Sequence, residues 1–148
     1  MGVRFPRIAE QKSAELADSL VRKLMESPRT EAYREIDAAA LQEEFRTFFV
    51  DLTDWVLEPT TAEIEEHFSQ MGKARASQGV PLSDSVNAMI TCREHLLQYL
   101  RQESKGEDGM ELLGESEFGN AVGHFFDDAI FFVMWGYRVY QLGEEEVA

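Results

Sequence analysis

The side chains of this sequence that could take part in chemistry are few: three histidines, one cysteine, one pair of neighbouring aspartates and two arginines within apolar helical stripes. The histidines are His67, His95 and His124. None follows an acidic residue by three positions, as the Glu-x-x-His motif of di-iron helix bundles requires, and the HExxH motif of zinc proteases is absent. The sequence therefore predicts no metal site.

No nucleophile or acid–base pair stands out among the other candidates. Cys92 lies between Thr91 and Arg93, where a cation could lower its pKa, but a lone cysteine is more commonly a small buried thiol. Asp127 and Asp128 are adjacent in sequence, so on a helix their side chains do not face each other. The serines lack the G-x-S-x-G elbow, and the glycines form neither GxGxxG nor a P-loop. We therefore expect no enzymatic activity.

Two arginines interrupt the apolar side of predicted helices. Arg75 follows Phe68 by seven residues, and Arg93 precedes Leu97 by four. A guanidinium is rarely buried without a partner. Two interpretations stay open: both arginines pair with an interior carboxylate near a helix end, which we favour, or both line a polar pocket. In the second case Arg75, Arg93 and His67 are the candidate ligand-binding residues.

Five predicted helices carry these residues, and no segment alternates as a strand would. The second helix begins after the N-cap Asp37, and Thr60 with Glu63 predicts a capping box for the third. The apolar stripe of the second helix consists of Leu41, Phe45, Phe48, Phe49, Leu52 and Val56. The fold class is all-α, a single domain over residues 1–148 with a helical core over residues 7–142.

Two acidic segments accompany the helices. Residues 103–117 contain six acids and three glycines against one base, which predicts a mobile loop. Residues 143–148 are predicted to form an acidic tail. Residues 103–148 together hold 11 acids and 2 bases, a net charge of −9. This surface would steer a basic protein partner toward the chain, although a solvated face explains it equally well.

The last predicted helix is apolar around most of its circumference. One side carries core residues, and the other side carries Phe131, Phe132, Met134 and Trp135. A helix of this kind must be buried on all sides or shared with a partner. With only four other helices in the chain, we expect a homodimer through these four residues, with Gly119 and Gly123 allowing close approach of the two backbones. The alternative is a central core helix in a monomer.

Composition and charge exclude several function classes. A formal charge of −14 disfavours nucleic-acid binding, because a phosphate backbone repels an acidic chain. A single cysteine excludes an intramolecular disulfide. The N-terminus has no apolar signal region, and the apolar run over residues 129–137 is too short to cross a bilayer. We therefore expect a cytoplasmic protein with no membrane insertion.

Residues 71–100, MGKARASQGVPLSDSVNAMITCREHLLQYL, carry a recognisable motif. This stretch resembles the signature of the RsbRD N-terminal domain family, in which a G-x-x-R-A-x-Q-G-[VI]-P-[LI] run precedes a helix containing a further arginine. The matching residues are Gly72, Arg75, Ala76, Gln78, Gly79, Pro81, Leu82 and Arg93. The resemblance extends over residues 8 to about 142.

This resemblance implies a non-catalytic regulatory input domain of bacterial stress signalling, with a dimeric globin-like helical fold. It implies regulatory protein partners and no cofactor. In globin-coupled sensors the haem-ligating histidine would fall near Arg75, and arginine cannot ligate iron. The alternative is a globin-like sensor of haem or a small ligand that uses His67. Since the chain ends at GEEEVA with no output domain, we expect either an excised domain or a stand-alone protein.

Overall fold

The computed structural model describes residues 9–58, 60–103 and 109–147, and these contain no strand. Five α-helices form a single compact domain, which confirms the all-α prediction. They are α1 (Ser13–Glu26), α2 (Ala38–Leu57), α3 (Thr61–Ser77), α4 (Leu82–Glu103) and α5 (Gly109–Val147). The helix count exceeds the predicted five, because a 3-10 helix (Pro28–Glu35) joins α1 to α2 and a helical turn at residues 9–11 precedes α1.

The core is built around the aromatic side chains of α2. The Phe48 ring has its centroid 5.1 to 6.4 Å from the centroids of six other aromatic rings in the described chain. These rings belong to Phe45, Phe49, Trp55, Phe68, Phe125 and Phe126. Three of these pairs meet edge to face, the geometry that the quadrupoles of the rings favour. The predicted stripe of α2 is thus the centre of the fold.

Helices α3 and α5 form the most extensive helix pair and cross at two glycines. A Cβ atom at Gly72 would lie 2.0 Å from the carbonyl oxygen of Val133. A Cβ at Gly136 would lie 2.0 Å from the carbonyl oxygen of Ser69. The two backbones are therefore in direct contact, and only glycine fits at either position. Gly72 belongs to the motif, and its role is this crossing.

Gly119 and Gly123 of α5 have no such role in the described part of the chain. A Cβ at Gly119 or Gly123 would meet nothing within 4 Å. Their expected part in close approach between two subunits stays a prediction. Inside the chain, close approach is the work of Gly72 and Gly136 instead.

The helix starts agree with the sequence at one cap and not at another. The Asp37 carboxylate accepts a hydrogen bond of 3.0 Å from the Ala40 amide, which confirms the N-cap of α2. The capping box at Thr60 and Glu63 is wrong, because the Thr60 side chain makes no capping hydrogen bond. Helix α3 still starts there, with the Thr60 carbonyl accepting from the Ile64 amide at 3.1 Å.

The acidic segments differ from their predictions where the structure describes them. Residues 104–108 of the predicted loop over 103–117 lie outside the described residues, and residues 109–117 belong to helix α5. Glutamate, leucine and methionine are strong helix formers, and in this segment they outweigh the glycines. Residues 143–147 of the predicted tail also continue α5, and residue 148 lies outside the described residues. No described helix is both long and apolar enough to cross a membrane.

Candidate functional site

The turn after α3 is a Schellman motif built on Gly79. The Gly79 amide donates to the carbonyl of Ala76 at 3.1 Å, and the Val80 amide donates to the carbonyl of Arg75 at 3.0 Å. This pairing requires a left-handed residue, and Gly79 has a φ of +77°. Pro81 follows directly, where it cannot extend α3 and leads into α4 instead.

Arg75, in the last turn of α3, is 2% exposed. Its guanidinium pairs with the Glu44 carboxylate of α2, donates to Gln78 Oε1 at 3.1 Å and donates to the Tyr33 hydroxyl at 3.3 Å. It also lies over the Tyr33 ring, 5.3 Å from the centroid. This arrangement is the interior ion pair that the first interpretation of Arg75 describes. We call Arg75, Tyr33, Glu44 and Gln78 the Arg75 junction.

Electrostatics keep the junction charged. Burial acts to lower the pKa of Arg75, but the charge of Glu44 and the contacts with Tyr33 outweigh it, so the pKa is raised. Burial raises the pKa of Tyr33, and this effect exceeds the opposing effect of Arg75. The raised pKa keeps the Tyr33 hydroxyl protonated. The junction therefore connects a buried guanidinium that keeps its charge to the partly exposed carboxylate of Glu44.

Neighbouring hydrogen bonds extend this tie to α4 and α5. The Asp84 carboxylate of α4 accepts from the Ala32 amide of the 3-10 helix at 3.1 Å. The Tyr137 hydroxyl of α5 donates to the Val80 carbonyl at 2.6 Å. The motif that includes Arg75 thus holds the 3-10 helix, α2, α3, α4 and α5 together, and each of its described contacts is structural.

A groove of about 800 Å³ lies between α2 and α3. The backbones of these two helices make few contacts with each other, since α2 packs mainly against α1 and α3 packs mainly against α5. Trp55 and Met71 contribute its apolar surface, and five carboxylates contribute its charge. We call this the acidic groove; its lining residues are Glu44, Asp51, Asp54, Trp55, Ala62, Glu63, Glu66, His67, Gln70, Met71 and Ala74. Sequence reasoning missed it, since no pattern shows that two successive helices diverge.

His67 lies in the acidic groove with its ring against aromatic neighbours. The ring centroid is 4.8 Å from that of Trp55 and 4.7 Å from that of Phe68. Its Nε2 atom is covered and has no hydrogen-bond partner in the described part of the chain. Burial lowers the pKa of His67, although the charges of Glu44 and Asp51 oppose this effect. His67 is therefore a neutral side chain at neutral pH.

The surroundings of Arg93 differ from those expected on an apolar stripe, and its candidate role in ligand binding stays a prediction. Arg93 was placed on the apolar stripe of its helix, but its side chain is 30% exposed. Its guanidinium lies 3.8 Å from the Asp127 carboxylate of α5. The reason is its position on the edge of α4 that faces α5, where the side chain reaches past the core to the surface. Arg93 and Arg75 therefore have different carboxylate partners, Asp127 and Glu44 respectively.

The cysteine and the remaining histidines have separate surroundings. Cys92 is fully buried, and burial raises the pKa of its thiol far above the usual range, as expected for a thiol packed as a small apolar side chain. His124 is exposed. His95 is buried, and its Nε2 lies 2.7 Å from the Ser19 hydroxyl oxygen. Within residues 9–58, 60–103 and 109–147, no group of three or more potential ligands is arranged to hold a metal.

The second candidate site is a surface of α5. Phe131 is 60% exposed and Trp135 is 54% exposed, with Met134 and Leu142 also exposed. Phe132, predicted with them, differs: it is half-buried and packs against the core. We call Phe131, Met134, Trp135 and Leu142 the exposed α5 face.

The comparison with protein families agrees with the motif. The profile of the RsbT co-antagonist protein RsbRD N-terminal domain matches residues 14–145, which covers nearly all of the described helices. No significant match to a curated protein or to a solved structure was found. This family is a stress-signalling co-antagonist domain and not a known enzyme family. The chain belongs to the RsbRD N-terminal domain family.

Proposed function

We propose that this chain is a non-catalytic regulatory input module of bacterial stress signalling that acts as a cytoplasmic homodimer. Two copies meet through the exposed α5 face, and changes at the dimer are passed on to a regulatory protein partner. The observation that carries the proposal is the clustering of large exposed apolar side chains on a single helix of a charged chain.

The size and position of this surface support an interface. From Phe131 to Leu142 the face extends over eleven residues, roughly 17 Å of helix. Large exposed apolar patches usually mark interaction sites, and aromatic residues and methionine are enriched at interface cores. Gly123 and Gly119 precede Phe131 by eight and twelve residues, and Asp127 lies between Gly123 and Phe131. The same side of α5 therefore offers small residues at one end and large apolar residues at the other.

Sedimentation equilibrium at micromolar concentration tests the dimer. The unmodified chain is expected to sediment as a dimer, and Trp135→Glu as a monomer with unchanged helicity, because a buried carboxylate without a partner is costly. Gln98→Glu adds the same charge at an exposed position of α4 and should stay dimeric. A monomeric unmodified chain contradicts the proposal. If Trp135→Glu fails to fold, Phe131→Ser tests the same face.

The alternative, a globin-like sensor of haem, depends on His67. One observation disfavours haem at this residue: Nε2, an atom that could bind iron, is covered by neighbouring protein atoms. The resemblance places the ligating residue of globin-coupled sensors near Arg75. The guanidinium of Arg75 is instead paired with Glu44. We therefore propose a module without cofactor. When haem is added to the purified chain, we expect no Soret band that depends on His67. The absorption spectra of the unmodified chain and of His67→Ala should therefore be the same.

A further inference from the structure

We propose that the acidic groove is a docking site for a basic amphipathic helix of a partner protein. The inference extends the proposed function, since it assigns a place for the regulatory partner on a surface separate from the exposed α5 face. It does not depend on dimerisation, and the two can fail independently. Shape, surface chemistry and charge each support it.

The groove is elongated in the way a helical occupant requires. Its wall on α2 extends from Glu44 to Trp55, twelve residues or about 17 Å. Its wall on α3 extends from Ala62 to Ala74, thirteen residues or about 18 Å. A helix of three turns has this length, and an amphipathic helix that lies between two others is a common mode of peptide recognition.

The apolar surface of the groove is small, and Trp55 and Met71 contribute most of it. Trp55 and Met71 are each 7% exposed, so an occupant would contact their edges. Ala62 and Ala74 leave room beside them. Leu57 is 47% exposed and follows Asp54 by three residues, which places it on the same side of α2 at one end of the groove. One row of apolar side chains on the occupant fits this surface.

The charge determines which helix would bind. Four carboxylates of the groove have no ion pair in the described part of the chain, and no lysine or arginine lines it. They stand as pairs three residues apart, Asp51 with Asp54 on one wall and Glu63 with Glu66 on the other. Like charges at this spacing destabilise a helix, and cations placed between the walls would relieve the repulsion. An occupant with lysine or arginine on both flanks is the complement.

The distribution of these carboxylates favours a protein segment over a metal ion. They are spread along two helices, and no described group of three converges as metal ligands would. Several cations spaced by turns of a helix can each reach a carboxylate, whereas one small cation cannot. The fifth carboxylate, Glu44, already pairs with Arg75 at one end of the groove.

A fluorescein-labelled 14-residue amphipathic peptide of leucine and lysine is the probe, titrated with the full chain and followed by fluorescence anisotropy. The chain should bind this peptide and not a leucine–glutamate peptide of the same pattern. The double variant Asp54→Asn/Glu66→Gln should bind about fivefold more weakly at low salt, since exposed ion pairs contribute modestly. Asp18→Asn/Glu94→Gln removes the same charge from exposed positions outside the groove and should bind as the unmodified chain does.

A third variant separates the groove from bulk charge. Ala62→Phe fills the groove without changing the charge, and it should weaken binding while helicity is retained. Equal weakening by the two double variants, or unchanged binding by Ala62→Phe, would overturn the docking site. Absence of peptide binding by a chain that still sediments as a dimer would also overturn it, and would leave the proposed function standing. A monomeric chain that binds the peptide through the groove would support the docking site and contradict the proposed dimer.

Discussion

Replacing Glu44 by glutamine tests the Arg75 junction most directly. The side chain of Glu44 is 32% exposed, and a substitution at such a position usually changes stability by less than about 0.5 kcal/mol. Its partner is different, because Arg75 is 2% exposed and cannot turn to solvent. Glu44→Gln therefore leaves a buried guanidinium with only Tyr33 and Gln78 as partners. We expect a loss of stability far larger than the exposure of Glu44 suggests.

The structure sets the magnitude. Breaking a fully buried ion pair by removing one partner costs about 3–5 kcal/mol. Glu44 is about one-third exposed, and Arg75 keeps its hydrogen bonds to Tyr33 and Gln78, so a loss of about 2 kcal/mol is expected. The reverse change, Arg75→Met, removes the buried charge and frees Glu44 to face water. The double variant should therefore be no less stable than Arg75→Met alone.

Urea unfolding followed by circular dichroism measures these free energies. Glu43→Gln is the matched control, because Glu43 is the sequence neighbour and pairs with Arg46 at the surface. It should change the free energy of unfolding far less than Glu44→Gln does, because an exposed ion pair contributes little to stability. Equal effects of Glu43→Gln and Glu44→Gln, or additive effects of Glu44→Gln and Arg75→Met, would refute the reasoning about a buried cation held by one carboxylate.

Two further predictions concern the glycine crossing and a buried histidine. Gly136→Ala should cost on the order of 3 kcal/mol in thermal or urea unfolding, because its Cβ would overlap the Ser69 carbonyl, whereas Gly143→Ala, with open space around it, should be neutral or stabilising. His95 has its pKa lowered from 6.5 to about 4, by burial first and by Lys23 second, so the unfolded chain takes up its proton before the folded chain does. The stability that His95 contributes above pH 6.5 is therefore lost as the pH falls toward 4. His95→Gln should remove this part of the pH dependence of unfolding, whereas His124→Gln should keep it.

Much of the fold follows from local patterns in the sequence. The spacing of Leu41, Phe45 and Phe48 predicts one buried side of α2, and these residues are at the centre of the core. The burial of Arg75 beside a carboxylate also follows, because an arginine on an apolar stripe needs a partner. The identity of that partner does not follow, since Glu43 and Glu44 are adjacent and only the rotation of α2 decides between them.

The groove and the start of α5 depend on tertiary structure that no local pattern records. The direction of α3 relative to α2 is set by its contact with α5 through Gly72 and Gly136, which lie 64 positions apart. Residues 109–117 are helical although residues 103–117 contain three glycines, because strong helix formers in the segment favour the helix. Composition alone predicts a loop there. Arg93 was misplaced because periodicity locates a residue on a helix side only to within the width of that side.

Helix α3 lines the acidic groove and also borders the exposed α5 face. Glu66 and Gln70 line the acidic groove and also the shallow cleft beside Trp135, while Ser69 and Gly72 touch the backbone of α5. Because the backbones of α3 and α5 are in direct contact, no flexible side chain lies between them to absorb a displacement. The two helices should therefore move together. If a displacement of α3 links the two surfaces, the effect of subunit pairing on the binding of a partner helix and the reverse effect are equal in free energy, by thermodynamic reciprocity.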